Sequence, residues 1–155
     1  MAKEIERKFL VTSDAFVQEA VAWHEIEQGY ISRVPEGTVR VRLRDGHGFL
    51  TVKGRNSGAV RSEWEYAVPA GDARAMLAEV CGGAVLRKTR YIVPASDGGL
   101  CWEVDVFHAP ERVRGLMLAE IELPAPDTPF VRPGWLGREV TGEAAYYNSN
   151  LDAQA

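Results

Sequence analysis

Residues 4–10 read Glu-Ile-Glu-Arg-Lys-Phe-Leu, and charged side chains occupy every second position from the first residue of this stretch. In a β-strand, residues two apart project from the same face. Glu4, Glu6 and Lys8 would therefore share one face of a strand, with Phe9 on the other. This stretch predicts a strand with one charged face and one that is largely apolar.

The same alternation recurs along most of the chain and predicts eight strands. The predicted strands are residues 3–11, 25–33, 38–45, 49–54, 60–68, 84–93, 100–107 and 116–123. Turns rich in Gly, Asn, Asp or Pro separate most of them, at residues 35–37, 45–48, 56–58 and 96–99. Because such short turns join neighbouring strands into hairpins, we expect an antiparallel sheet.

Three helices are expected beside the strands. A helix capped by Ser13 or Asp14 is predicted to run to Trp23, and a second, preceded by Gly71 and Asp72, is predicted at residues 73–79. Thr141 is the expected cap of a third helix near the end of the chain, after a short turn at residues 133–136. The fold class is therefore α+β with β structure dominant and the helices peripheral.

The bulk composition is that of one ordinary globular domain over residues 1–155, with 46% apolar and 26% charged residues. A net charge of −4 disfavours nonspecific nucleic-acid binding, which needs an excess of cations. No apolar run approaches the roughly 20 residues of a membrane helix, and the first residues lack a signal-peptide core. We expect a cytoplasmic protein without a membrane or nucleic-acid partner.

Cysteine and histidine give no sign of a disulfide or zinc site. Cys81 and Cys101 are far apart and outside metal-ligand spacing, so we expect reduced, partly buried thiols. His24, His47 and His108 are scattered, with no spacing typical of zinc ligands. A metal site, if the chain has one, is expected among its carboxylates.

The charged faces of the predicted strands are sorted by sign. Some strands carry only acids on the charged face and others only bases: Glu103 with Asp105, Glu120 with Glu122, Arg40 with Arg42 and Arg44, and Lys88 with Arg90. For any one strand, a face turned to water is the ordinary interpretation. A solvated surface usually mixes both signs within a strand, however, so the sorting favours an enclosed, functional face.

An eight-stranded antiparallel sheet can close into a barrel whose interior accommodates side chains or one small ligand. Charges that line such an interior each cost several kcal/mol to desolvate without a partner. Basic clusters would suit an elongated anion with several charges, and acidic clusters would suit Mg²⁺ or Mn²⁺. A linear polyphosphate with bound cations meets both needs. The apolar faces would pack outward, including Phe9, Trp64, Trp102 and Phe107.

The ordered charged pairs resemble a known family, the CYTH superfamily or triphosphate tunnel metalloenzymes. The opening Glu4-x-Glu6-x-Lys8 matches the signature of that family, and six later pairs follow in the expected order: Arg40-x-Arg42, Thr51-x-Lys53, Glu63-x-Glu65, Lys88-x-Arg90, Glu103-x-Asp105 and Glu120-x-Glu122. The closing residues 139–151 are similar to those of the short bacterial inorganic triphosphatases. The resemblance implies a closed eight-stranded antiparallel β-barrel, the triphosphate tunnel, and hydrolysis of a linear triphosphate.

The resemblance also implies a role for each class of charged residue. Mg²⁺ or Mn²⁺ would be held by the carboxylates Glu4, Glu6, Glu63, Glu65, Asp105, Glu120 and Glu122. Phosphate oxygens would be bound by Lys8, Arg40, Arg42, Lys53, Lys88 and Arg90. Lys88 or Arg90 would stabilise charge at the scissile phosphate, and a second metal ion or a carboxylate such as Glu63 would orient the attacking water.

Several alternatives stay open at the level of sequence. The same site would serve a class IV-type adenylyl cyclase, an organic triphosphatase acting on thiamine or nucleoside triphosphates, an RNA 5′-triphosphatase, or a noncatalytic polyphosphate- or nucleotide-binding module. Glu65 and Glu103 have a structural alternative, as salt bridges that position a cation. We favour packing for Tyr30 and surface positions for Arg7 and Arg44. The oligomeric state is left open.

Overall fold

The computed structural model describes residues 2–96 and 99–151, and these contain nine strands joined in one antiparallel sheet. The strands are β1 (Ala2–Val11), β2 (Ala22–Ser32), β3 (Thr38–Arg44), β4 (His47–Lys53), β5 (Val60–Val68), β6 (Gly82–Pro94), β7 (Cys101–Ala109), β8 (Met117–Glu122) and β9 (Leu136–Glu139). The first eight correspond to the eight predicted strands, with ends that differ by at most three residues. The ninth was not predicted, and it begins at the last residue of the turn expected at residues 133–136.

The sheet closes on itself because β1 uses both of its edges. The strand order is β5-β4-β3-β2-β6-β7-β8-β1-β9, and an additional pairing joins β5 to β1. One edge of β1 pairs with β8 through Glu6 to Leu10. The other edge pairs with β5 through Ala2 to Ile5 and with β9 beyond Phe9. The predicted closed barrel of eight antiparallel strands is thus confirmed, with β9 as an appended ninth strand.

Local turn chemistry fixes the β3–β4 hairpin. Asp45 and Gly46 form its two-residue loop, and both have positive φ, 49° and 81°. This is the combination that a tight hairpin with strand-matching twist requires. The Asp45 carboxylate also accepts a hydrogen bond of 2.9 Å from the backbone N–H of Glu25 on β2. The loop is therefore tied to the neighbouring strand, which holds the register of β3.

Among the described residues, the second predicted helix is confirmed, and the first and third are shorter than the sequence predicts. The two α-helices are α1 (Ala70–Glu79) and α2 (Asn148–Leu151), and 3-10 turns occur at Ala15–Glu19, Glu111–Val113 and Ala144–Tyr146. The helix expected up to Trp23 is wrong in length, because Ala22 and Trp23 pair with Ile92 and Tyr91 of β6. No helix within the described ranges is long and apolar enough to cross a membrane.

Two of the three apolar clusters lie on the outer surface of the barrel. The larger one surrounds Trp102, whose ring meets Phe9 and Trp135 edge to face at centroid distances of 5.7 Å. The smaller one packs α1 onto β3 through Val41, Leu43, Ala73 and Leu77. The hydrophobic core of the protein is therefore largely outside the barrel wall, on the strand faces opposite the charged ones.

The third apolar cluster closes one end of the barrel interior and is called the apolar floor here. It comprises Leu86, Phe107, Val113, Leu118, Val140 and Leu151. Phe107 was expected to pack outward, and that prediction is wrong. It lies in register with Lys88 and shares the inward face of β7 with Asp105, so strand parity directs its ring into the lumen.

Gly48 marks the closest approach of α1 to the sheet. A Cβ atom at this position would lie 2.8 Å from the Val68 carbonyl oxygen and 2.9 Å from the Ala73 Cβ. Both atoms belong to packed backbone or a short side chain, so they cannot move aside easily. We expect Gly48→Ala to lower the free energy of unfolding by about 1–3 kcal/mol, measured by urea denaturation. Gly37→Ala, where a Cβ would meet nothing within 4 Å, is the control.

Candidate functional site

The barrel encloses a cavity of about 240 Å³, called the tunnel here. Its wall carries the charged strand faces together with a few residues of the loops and the C-terminal segment. The lining includes Glu4, Glu6, Lys8, Tyr30, Thr38, Arg40, Arg42, Arg44, Lys53, Arg61, Glu63, Glu65, Arg90, Glu103, Glu120, Glu122, Thr141, Tyr147 and Asn148. The faces that are charged in sequence therefore point inward, as the sorted signs predict.

The inward rows of four strands share one order along the barrel axis. Acids or cations come first and an apolar residue ends each row: Glu4, Glu6, Lys8 and Leu10 on β1; Glu122, Glu120 and Leu118 on β8; Glu103, Asp105 and Phe107 on β7; Arg90, Lys88 and Leu86 on β6. The charged part of the tunnel therefore ends at the apolar floor. Most acids of the lining come from β1, β5 and β8 and form an acidic region, whereas most cations come from β3 and β6 and form a basic region, so a ligand in the tunnel would meet both signs.

Five carboxylates form the acidic region, called the acidic cluster here: Glu4, Glu6, Glu63, Glu120 and Glu122. Strand pairing alone places Glu6 opposite Glu122 on β8, like charges that repel at this separation. Glu4 is paired with the Lys53 amino group at 2.8 Å. The same amine is the cation that acts to lower the pKa of Glu6 and of Glu122 against the effect of burial, so three acids share one positive charge and this part of the cluster retains an excess of negative charge.

That excess is visible in the titration of the cluster. Burial, and then the charges of Glu120 and Glu4, hold the pKa of Glu6 well above its ordinary value. Burial and a hydrogen bond with Glu4 raise the pKa of Glu63 to about 7. For Glu120, Lys8 and Arg90 outweigh the effect of burial and hold its pKa well below the ordinary value. The acids therefore share protons in pairs when no cation is bound.

These paired carboxylates fit a hard divalent cation. Within the described part of the chain, no three His, Cys, Asp or Glu side chains converge into a ready metal cage. Mg²⁺ does not need one, because it usually keeps several waters and takes one or two carboxylates together with substrate phosphates. Shared protons between acids mark positions where a cation would relieve repulsion. The donor set therefore suits Mg²⁺ or Mn²⁺ bound together with a phosphate ligand.

The basic region has a different supporting contact for each cation. The Lys8 amino group donates to the Tyr146 carbonyl oxygen at 3.0 Å. Arg40 lies 3.5 Å from the Glu65 carboxylate and donates to the Thr51 hydroxyl at 3.2 Å. The Arg40 Nε atom is buried, and the described residues offer it no hydrogen-bond partner. An unpaired buried donor on the tunnel wall is consistent with a binding site for an anion.

Arg90 is the most heavily paired cation of the wall. Its guanidinium donates to both carboxylate oxygens of Asp105, at 2.8 Å and 2.9 Å. It also lies 3.4 Å from Glu103 and 3.8 Å from Glu120. Burial is outweighed by these carboxylates, and the net effect raises the pKa of Arg90. The guanidinium is therefore permanently charged and fixed in position where β6, β7 and β8 meet.

Lys88 and Asp105 lie deeper in the barrel than the tunnel lining, next to the apolar floor. Their side chains are 0% and 1% exposed, and the Lys88 amino group donates to Asp105 at 2.7 Å and to the Asn148 side-chain oxygen at 3.3 Å. Burial, with Arg90 and Arg42 nearby, lowers the pKa of Lys88 to about 7 despite the opposing effect of Asp105. The two residues form a buried pair beneath Arg90, at one remove from the space that a ligand would fill.

The other predicted site residues are brought to the tunnel. Glu65 and Glu103 line it but keep 44% and 43% of their side chains exposed, each beside an arginine. Tyr30, for which packing was favoured, lines the tunnel instead. Because Tyr30 lies two residues after Gln28 on β2, the two side chains share one face of the strand, and this spacing was the sequence signal for its position. Arg7 lies on the outer face, in a 2.6 Å ion pair with Glu139.

Two contributions to the site have little or no signal in the sequence. Arg44 is exposed, as expected, but its guanidinium stacks 5.0 Å from the Phe49 ring at the tunnel lining. The segment after β9 supplies Thr141, Tyr147 and Asn148. Thr141 does not cap a helix, because its hydroxyl accepts from the Lys8 backbone N–H at 2.8 Å.

Cys101 is exposed, where a partly buried thiol was expected.

Comparison with known proteins agrees with this geometry. The CYTH domain family matches residues 2–154. An inorganic triphosphatase of Acetivibrio thermocellus is 44% identical over 153 residues, which cover 97% of this chain and 94% of that protein.

Solved structures give the same picture. The crystal structure of an inorganic triphosphatase superposes with a TM-score of 0.68 and 30% identity, over 99% of this chain and 96% of that one. A putative adenylyl cyclase from Hippeastrum, at 18% identity, TM-score 0.58 and coverage of 79% and 80%, shares the fold. From the match over nearly its whole length, together with the charged closed barrel, the chain belongs to the CYTH domain family.

Proposed function

We propose that this protein hydrolyses inorganic triphosphate held along the tunnel, with Mg²⁺ or Mn²⁺ in the acidic cluster. The observation that carries the proposal is the lining of the tunnel, in which clusters of acids and clusters of cations share one enclosed space. A linear triphosphate with bound divalent ions has the complementary charge pattern. The names of the related proteins described above support the choice of inorganic triphosphate.

Metal binding is assigned to the carboxylates with an excess of negative charge. Triphosphatases of this family depend on divalent metal ions in general. Glu4, Glu6, Glu120 and Glu122 would hold the ion, with Glu63 at the edge of the cluster. The bound ion would neutralise charge on the phosphate oxygens. Glu65 would act chiefly by fixing Arg40, from which it lies 3.5 Å away.

Phosphate binding is assigned to the cations that reach the tunnel surface. Lys8, Arg40, Arg42, Lys53 and Arg90 line it. Arg90 would contact the scissile phosphate, because three carboxylates hold its guanidinium in one place and phosphoryl transfer depends mainly on positioned charge. Asp105, itself paired with Lys88, would position Arg90 from deeper in the barrel. Glu63, beside Glu4, would orient the attacking water.

The proposal predicts release of orthophosphate from inorganic triphosphate when Mg²⁺ or Mn²⁺ is present. A colorimetric phosphate assay should show turnover that chelator abolishes and added metal restores. Glu4→Gln should reduce turnover by about a hundredfold or more, because it weakens both the metal site and the Lys53 contact. Glu111→Gln, at a residue whose side chain is 84% exposed on the outer surface, should leave turnover unchanged.

The same assay separates the alternatives. Parallel incubations with ATP, thiamine triphosphate and longer polyphosphate would reveal an organic substrate by faster phosphate release than from inorganic triphosphate. Conversion of ATP to a cyclic nucleotide and pyrophosphate, without release of orthophosphate, would identify a cyclase and overturn the hydrolase proposal. Binding of triphosphate without any product would identify a noncatalytic module.

We further infer that residues 1–155 act as one domain. The family match from residue 2 to residue 154 supports this, and so does the pairing of β1 with β9 near the other end of the chain. The cytoplasmic location expected from the sequence stays a prediction, as does the absence of a nucleic-acid partner.

A further inference from the structure

Arg42 is a buried cation that a side-chain amide holds, whereas Lys8 donates to a backbone carbonyl oxygen. Lys53, Lys88 and Arg90 each lie within 3 Å of a carboxylate oxygen. In the described structure, no carboxylate forms an ion pair with Arg42. Its guanidinium instead donates from Nε and Nη2 to the side-chain oxygen of Gln28, at 2.9 Å and 2.6 Å. A neutral amide therefore anchors this buried charge.

Gln28 is fully enclosed in the wall. It lies on β2 directly opposite Arg42 of β3 in the strand register, and its relative exposure is 0%. Its carbonyl must face the guanidinium, because the alternative amide orientation would set two donors against each other. The amide nitrogen that results is buried without a hydrogen-bond partner among the described residues. Such an unpaired donor destabilises the fold, and an apolar side chain of similar shape would avoid it.

The choice of a neutral anchor has an electrostatic consequence. A glutamate of the same length would reach the same two donors and neutralise the guanidinium. Glutamine orients the group and leaves its charge uncompensated. Burial, with Arg40 and Arg90 nearby, already lowers the pKa of Arg42 to about 9, which reflects how little local negative charge it has. The uncompensated charge faces the tunnel, since Arg42 is part of the lining.

We propose that Gln28 is a positioning residue that aims the Arg42 guanidinium into the tunnel while leaving its full charge to bind one phosphate group of the substrate. The proposal rests on the proposed function for the identity of the substrate, inorganic triphosphate. Because the amide does not reach the tunnel surface, Gln28 acts through Arg42. It should therefore set affinity for the triphosphate more than the rate of the bound complex.

The experiment compares Gln28→Glu with the parent protein. Steady-state kinetics with inorganic triphosphate and Mg²⁺ should give a KM raised about tenfold or more with kcat changed by less than about threefold. Calorimetric binding of metal-free inorganic triphosphate should weaken by a similar factor. Gln18→Glu makes the same chemical change at an exposed position on the outer surface, and it should alter neither quantity.

A second variant keeps the test informative if the glutamate variant does not fold. Gln28→Met removes the anchor and the unpaired amide together without adding charge. It should raise KM by about threefold to tenfold, and its melting temperature should fall because two donors of the Arg42 guanidinium lose their acceptor. An unchanged KM in either folded variant, or a loss confined to kcat, would overturn the role of Gln28. If the parent does not release phosphate, the proposed function fails, and the binding measurement still decides the Gln28 proposal.

Discussion

Glu6→Gln is expected to give a protein that is more stable than its parent without metal and almost inactive. In the metal-free barrel, burial and the charges of Glu120 and Glu4 disfavour the Glu6 carboxylate. Glutamine has nearly the same shape and removes that repulsion. One pKa unit corresponds to about 1.4 kcal/mol, so we expect a rise in melting temperature of at least about 3 °C. Phosphate release should fall about a hundredfold or more, because the acidic cluster loses a metal ligand.

The pH dependence of stability checks the physical cause. A carboxyl group whose pKa is raised on folding holds its proton more tightly in the folded state, so its contribution to stability is present below the unfolded pKa and lost as pH rises. For Glu63, whose pKa rises from 4.5 to about 7, this loss falls between those two values. The metal-free parent should therefore lose stability from about pH 4.5 to pH 7. The loss should be smaller in Glu6→Gln, because that substitution removes one charge from the same cluster.

A carboxylate on the outer face of the barrel provides a control for which the opposite change in melting temperature is expected. The hydrogen bond with Arg7 lowers the pKa of Glu139, which makes its ionised form stabilising. Glu139→Gln should therefore lower the melting temperature, while Glu6→Gln raises it. If Glu6→Gln melts lower than the parent without metal, the acidic cluster is not held under repulsion and the explanation is wrong. Differential scanning fluorimetry with and without Mg²⁺ is sufficient, because added metal should reverse the ranking of Glu6→Gln and the parent.

Arg90→Met is expected to damage both stability and activity. The substitution leaves Asp105 buried with only Lys88 as a cationic partner, and it removes the nearest cation from Glu103. Breaking a buried ion pair from one side typically destabilises a protein by about 3–5 kcal/mol. For a chain of this length that corresponds to a fall in melting temperature of about 10 °C. Turnover should fall by about a hundredfold or more through the loss of positioned charge at the phosphate.

A second substitution separates the two effects. Arg90→Met combined with Asp105→Asn removes the buried carboxylate, and Lys88, whose pKa burial already lowers to about 7, can then release its proton. At pH 8 the double variant should therefore regain more than about 1 kcal/mol of unfolding free energy over Arg90→Met alone. It should not regain turnover, because the cation at the tunnel wall is still missing. Arg87→Met on the same strand, with a 61% exposed side chain, should stay within about 0.5 kcal/mol of the parent. Recovery of activity in the double variant would show that Arg90 is structural only.

Much of this architecture follows from parity along the strands. The alternation of Glu4, Glu6 and Lys8 with apolar residues sets both the strand and its charged face, and the sorting of sign between strands indicates enclosure. Closure needs no more than the pairing of β1 with β5, which the number of strands suggests. The tunnel and most of its lining are therefore predictable from local sequence.

The parts that escaped prediction depend on contacts between distant segments. Residues 136–139 form a strand because the backbone near Phe9 offers a free edge, which four residues of sequence do not reveal. Thr141 binds the backbone of Lys8, 133 positions away, so its local resemblance to a helix cap is misleading. Lys88 is buried deep in the barrel because its amino group donates to Asp105 and Asn148, neither of which is near it in sequence.

The placement of two apolar clusters outside the barrel wall makes one kind of genetic change unusually severe. Each strand carries packing residues and lining residues in strict alternation, so a substitution on one face leaves the other face intact. Insertion or deletion of a single residue within a strand would instead exchange the two faces beyond that point. Charged side chains such as Arg42 would then be driven toward α1, and Val41 would enter the tunnel. Length changes should therefore be tolerated in the hairpin loops and excluded from the barrel strands.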